Sequence, residues 1–97
     1  MVNVNIKKWN YGNYSSENYG SHCQAISIGN ITLWFSYNTV IAFKTDGHLP
    51  RVIKNYWSTT TGRHLNCIDG GNKEDRLDAE TFEKELKEAL KKHNIEV

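Results

Sequence analysis

The sequence predicts an α+β fold: a small antiparallel sheet of about five strands, one C-terminal amphipathic helix, and a short helix before it. Three observations lead there. Short strand-like runs recur from Val2 to Trp57 with turn-forming residues between them. The dipeptide Gly29-Asn30 separates two such runs, as a two-residue hairpin requires. Beyond Asp78 the period changes from two to 3.6, with Phe82, Leu86, Ala89, Leu90 and His93 on one stripe.

Taken in order, Val2, Val4 and Ile6 alternate with Asn3, Asn5 and Lys7, which predicts a first strand over about 2–8 with one wet face. From Trp9 to Gly20 the Gly, Asn and Ser content favours turns, and the aromatics there predict an ordered loop folded back on the body. Cys23 to Ile28 and Ile31 to Tyr37 form the hairpin, both turn positions being able to take positive φ. On the second of these strands Ile31, Leu33, Phe35 and Tyr37 share one face. Trp34 lies with Thr32 and Ser36 on the other, which predicts partial exposure or cover by the 9–20 loop. Val40 to Lys44 and Arg51 to Trp57 complete the sheet across the turn at Thr45 to His48.

Thr61 as N-cap and Gly70 as terminator predict a helix over 62–68, with Leu65 and Ile68 inward. Asp78 caps the last helix and Leu77 can staple onto Phe82, so the stripe of Phe82, Leu86 and Leu90 should be buried on the sheet. Glu80 with Lys84, Glu83 with Lys87 and Glu88 with Lys92 are spaced for exposed ion pairs.

Composition narrows the functional classes. A chain of 97 residues is one domain, 1–97, able to bury roughly 65% of its extended surface around a single core. A net charge of +1 lacks the basic excess of nonspecific nucleic-acid binders, so that partner class is disfavoured. No apolar run nears the roughly 18 residues of a membrane span, and the first ten residues lack a signal-like stretch, so a cytoplasmic protein without membrane contact is expected. In that compartment Cys23 and Cys67 are expected to stay reduced.

Candidate chemistry centres on Asn55 to Asp69, which brings aromatic, hydroxyl, basic, imidazole and thiol side chains together. Zinc could use His64 and Cys67 on one side of a helical turn. His22 and Cys23, adjacent on a strand, point to opposite faces and cannot easily complete the set, so no metal is expected. A Cys67 nucleophile would sit near a helix C-terminus, where the dipole raises rather than lowers a thiol pKa. Glu74, Asp75 and Asp78 fit a solvated connector and cap rather than a carboxylate pair, and Asp69 to Asp75 lacks the ligand alternation of an EF-hand. No catalytic residue and no cofactor is assigned, and the chain is expected not to be an enzyme.

Binding is the better-supported class. Thr59-Thr60-Thr61-Gly62-Arg63 ahead of a helix offers hydroxyls, backbone N–H groups and a guanidinium to a phosphate or carboxylate, although it is no P-loop. The alternative is that the Thr hydroxyls only cap the helix. Tyr11, Tyr14, Tyr19, Trp34, Tyr56 and Trp57 could supply a protein-binding surface, with Trp57 assigned instead to the core. The candidate binding residues are therefore Tyr14, Tyr19, Trp34, Tyr56, Thr60, Thr61, Arg63, His64 and Asn66.

The blocks Tyr14 to His22, Ile28 to Tyr37, Thr60 to Asn66 and the Phe82-Glu83 helix resemble a short domain of unknown function found largely in phage and prophage genomes, over nearly the whole chain. That resemblance implies a viral or mobile-element setting and carries no active site with it. It implies an accessory or anti-defence binding module in the host cytoplasm, occupying a host protein or sequestering a small anionic ligand, with a homo-oligomer left open. Two further classes are weighed. One is nucleic-acid binding, with Trp34, Tyr56 and Trp57 stacking bases beside Lys44, Arg51, Lys54 and Arg63. The other is a small enzyme using His64, Asn66 and Asp69.

Overall fold

The structure, a computed structural model, describes residues 6–11, 23–57 and 59–92. It is an α+β fold built on a five-stranded antiparallel meander in the order β1 (Ile6–Asn10), β2 (Gln24–Ile28), β3 (Ile31–Ser36), β4 (Thr39–Thr45) and β5 (Arg51–Val52). Two helices follow, α1 (Thr59–Asp69) and α2 (Ala79–Lys92), with one 3-10 turn, Lys73–Asp75, between them.

β1 runs on through Trp9 and Asn10, which the sequence assigns to a loop, because Trp9 pairs with Ala25 and Asn10 with Gln24. Cross-strand partners override the turn preference of Asn. Ile6 does not reach the core: it is 58% exposed on this edge strand. Val2 and Val4 lie outside the described residues. The β2–β3 hairpin closes with Ile28 opposite Ile31, as expected. Only Gly29, at φ +57°, has positive φ in that turn. This is the pattern of a type II′ turn, in which the first central position needs the freedom of glycine and Asn30 does not.

The two helices cover opposite faces of the sheet, whereas the sequence places its one clear helix on one face. Leu33 opposes Phe43 across β3 and β4, and the Phe43 ring meets Phe82 of α2 with centroids 5.6 Å apart. Ser36, of opposite parity on β3, bonds to Thr61 and His64 of α1. Cover on both sides explains why Ile41, Ala42 and Phe43 are buried in succession, and why Ser36, on the nominally polar side of β3, is only 3% exposed. Trp34, on the Ser36 side, is half-buried against the core. A β-bulge places Ile41 as an extra residue between the pairs Trp34–Ala42 and Phe35–Val40.

β5 is much shorter than the strand expected over 51–57. After Val52 the chain is captured by the segment leading into α2: Leu77 N–H donates to the Val52 carbonyl at 2.8 Å, and Lys54 N–H to the Leu77 carbonyl at 2.8 Å. Ile53 and Leu77 thus form a single parallel bridge, and Tyr56 and Trp57 leave the sheet. Trp57, assigned to the core from sequence, is 48% exposed.

α1 begins at Thr59, so Thr61 is an interior helical residue rather than its cap, and it is buried. At the other end Gly70 follows the last helical residue at φ +68°, the left-handed stop foreseen there. Asp78 caps α2 as expected, its carboxylate accepting from Thr81 N–H at 2.8 Å. The two Thr81 donors hold that carboxyl below its ordinary value. On the α2 stripe Phe82 and Leu90 are buried, Leu86 and Ala89 half-buried, and His93 lies outside the described residues. None of the three Glu–Lys spacings closes to an ion pair among the described residues. Glu85 instead takes Arg51 in a two-pronged contact of 2.9 and 3.2 Å.

Candidate functional site: a cationic cleft beside α1

α1 divides the expected site residues between two faces. Thr61, His64 and Leu65 are buried toward the sheet, with Ile68 half-buried beside them, whereas Thr59, Gly62, Arg63 and Asn66 line a cleft on another side. The spacings 61/64/65/68 and 59/62/63/66 are each one stripe of a 3.6-residue period. A run that looks like one site in sequence therefore serves two purposes. Thr60 is half-buried and belongs to neither lining.

The buried stripe is a polar clasp between α1 and β3. Ser36 Oγ lies 2.7 Å from His64 Nδ1 and 3.1 Å from Thr61 Oγ1. The imidazole is flanked by the rings of Tyr11 and Tyr37, with centroids 6.1 and 6.2 Å away. Tyr11 in turn donates its hydroxyl to the Phe35 carbonyl at 2.7 Å. His64 is 0% exposed, so its ring is not presented to solvent, and Asn66 is exposed elsewhere on the helix. The trio His64, Asn66 and Asp69 does not converge on one point. Zinc geometry fails in the same way, because Cys67 is exposed while His64 is buried. No cluster of three or more metal-ligating residues occurs among the described residues. Cys23 is buried, no disulfide joins it to Cys67, and His22 lies outside the described residues.

The cleft encloses about 520 Å³ and is lined by Lys54 and Asn55 after β5, by Thr59, Gly62, Arg63 and Asn66 of α1, and by Lys73 and Arg76 from the connector. Arg76 is the fixed wall. Its guanidinium is bidentate to Asp69 at 2.7 and 3.0 Å and donates Nη2–H to Asn66 Oδ1 at 2.9 Å. Burial alone would raise the Asp69 carboxyl. The guanidinium and the Gly71 N–H outweigh it and hold the group below its ordinary value. Lys54, Arg63 and Lys73 are exposed, and none of the three makes an ion pair among the described residues. The lining thus carries three cations outside any ion pair and no carboxylate, with Lys54 near enough to Asp78 for its charge to add to the Thr81 bonds in lowering that carboxyl.

Sequence reasoning singled out Thr59, Gly62, Arg63 and Asn66, named Lys54 only as a neighbour of stacked bases, and did not join to that site Lys54, Asn55, Lys73 and Arg76. These last arrive from strand end and connector, and nothing in linear spacing joins them. Tyr56 and Trp57 lie next door, their rings edge to face with centroids 6.0 Å apart, over an apolar groove of about 470 Å³ floored by Val40, Ile53, Phe82 and Leu86. The Tyr56 hydroxyl accepts from Ala79 N–H at 3.1 Å. Tyr14 and Tyr19 lie outside the described residues. Of the residues named for base stacking, Trp34 is half-buried and Arg51 is paired with Glu85, whereas Tyr56, Trp57, Lys54 and Arg63 are exposed.

A meander covered by a helix on each face, with a cationic cleft beside α1, defines the molecule as a small α+β domain. The chain belongs to a family of unknown function, DUF8033, whose model matches residues 5–84 and so includes every residue of the cleft. No curated protein and no solved structure matches the chain. No helix among the described residues is long and apolar enough to cross a membrane.

Proposed function

We propose that this chain is a small phage-type binding module acting in the host-cell cytoplasm, where it counters a host defence by sequestering an anionic small ligand. One observation carries the reading: three cations, none of them in an ion pair among the described residues, line a cleft of about 520 Å³ whose lining holds no carboxylate, a size typical of small-molecule sites. The phage setting rests on the resemblance of the sequence blocks. Binding in this reading needs no catalytic group.

The test is to express the protein in bacterial cells, purify it, denature it, and analyse the released small molecules by mass spectrometry. An anionic metabolite should accompany the wild type and be absent from an Arg63→Glu, Lys73→Glu variant of unchanged thermal midpoint. Equal recovery from both proteins, or none from either, would defeat the reading.

A second reading, occupation of a host protein, is favoured by the half-exposed pair Tyr56 and Trp57 over their apolar groove. Paired rigid aromatics of this kind often dominate interface energies. Under it, Trp57→Ala should abolish defence inhibition in cells while the charge-reversed cleft variant keeps it. The reverse outcome supports sequestration.

A further inference from the structure

We propose that Arg76 is the residue that fixes an oxyanion in the cleft, through the Nη1 end of its guanidinium, and that Asp69 and Asn66 are positioning residues that hold that end toward the ligand. This rests on the reading of the cleft as an anion site and deepens it by naming the contact that sets affinity.

The assignment follows from which donors of Arg76 are already used. Nε–H goes to Asp69 Oδ2 at 2.7 Å, and the Nη2 hydrogens go to Asp69 Oδ1 at 3.0 Å and Asn66 Oδ1 at 2.9 Å. The hydrogens that remain are both on Nη1, and no acceptor among the described residues takes them. Nη1 is not sealed in the interior either. The Arg76 side chain is only 4% exposed, and the space beside it is the cleft, whose lining includes Arg76. The neighbouring cavity of about 270 Å³ is lined by Asp69 and not by Arg76. Asp69 thus grips the guanidinium from the side away from the cleft and leaves the Nη1 end to meet it.

Exposure separates this donor from the other cations. Lys54, Arg63 and Lys73 are exposed, so each carries its charge on a flexible, hydrated stem and gives up rotamer freedom on binding. Arg76 has little such freedom left to lose, because its bonds to Asp69 and Asn66 already fix the plane of the guanidinium. Burial also strengthens any further bond that it makes. Its own charge is largely cancelled by Asp69, so Arg76 positions a ligand while the exposed cations attract it. The two roles are separable, since salt screens long-range attraction far more than a buried contact. A phosphate and a carboxylate both offer the oxygen lone pairs that Nη1 needs.

The experiment is heteronuclear side-chain NMR of the arginines in the full chain, titrated with inorganic phosphate and, in a separate arm, with citrate, at about 50 mM salt. The Arg76 Nη1 signal should shift saturably with at least one probe, and the tighter of the two arms tells phosphate from carboxylate. Arg51, paired with Glu85 outside the cleft, should not move. Arg76→Lys should weaken that probe by about tenfold or more without changing its dependence on salt, whereas Arg63→Gln with Lys73→Gln should weaken it and flatten that dependence. Asp69→Asn is the sharpest arm. Removing a carboxylate beside an anion site strengthens binding if charge alone matters. Loss of the anchor should instead weaken binding by about threefold or more and merge the separate Arg76 Nη signals as the guanidinium begins to rotate. Should a variant fail to fold, the wild-type titration decides by itself. A saturable shift at Arg63 with Arg76 Nη1 unmoved, or tighter binding by Asp69→Asn, would overturn the role of Arg76 and leave the anion reading standing. No saturable shift at any cleft residue with either probe would overturn both.

Discussion

Replacing Phe82 by Ala should remove more stability than any other substitution on the α2 stripe. Phe82 is 2% exposed, and its ring lies 5.6 Å from that of Phe43 at an interplanar angle of 59°. Truncation of a buried Phe costs about 3–5 kcal/mol, and up to about 1 kcal/mol of that belongs to the ring pair beyond its area. Leu86, one turn further on the same stripe, is only half-buried, so Leu86→Ala should cost about 1–2 kcal/mol, below the range for a fully buried Leu. Domains of this size are stable by about 5–15 kcal/mol, and each kcal/mol moves the midpoint by about 4–8 °C. Phe82→Ala should therefore lower Tm by roughly 12 °C or more, and Leu86→Ala by about half that or less. Urea unfolding followed by circular dichroism, with a thermal scan beside it, measures both. Equal losses for the two variants, or a loss under about 1 kcal/mol for Phe82→Ala, would refute the packing of α2 on the Leu33–Phe43 face.

Two further outcomes test the α1 side of the molecule. Ser36→Ala removes the hydroxyl that meets both His64 and Thr61 and should cost about 1–3 kcal/mol in urea unfolding, whereas a change below about 0.5 kcal/mol would mean that the clasp contributes nothing net. Asp69 has its folded-state pKa depressed, so its contribution is fully present above the ordinary carboxylate value of 3.8 and is lost as pH falls through the lower folded-state value. Stability profiles between pH 2 and 6 should therefore be flatter at the acid end for Asp69→Asn than for the wild type, and parallel profiles would remove Asp69 from the account.

Much of the fold was legible because local signals agreed with tertiary demands. Asp78 capped, the Phe82 stripe turned inward and Gly29 closed its hairpin, each through forces acting within a few residues. The candidate site was legible only in part. Arg63 and Asn66 share a helix face and could be picked out together, but Thr61 and His64, in the same sequence block, turn the opposite way. That partition depends on where α1 starts, which the hydroxyl run Ser58 to Thr61 leaves ambiguous because several of its residues are good caps.

The sequence by itself determined the α+β class, the hairpin register and the stripe of α2, since each follows from period, turn chemistry and capping over short distances. Only the tertiary structure decided that helices cover both faces of the sheet, that Ser36 is buried rather than wet, and that β5 ends where Leu77 captures its backbone. It also decided the cleft. Lys54, Arg63, Lys73 and Arg76 come from three segments that meet only after the bridge between Ile53 and Leu77 has drawn the connector alongside β5, and no pattern along the chain encodes a meeting fixed by packing.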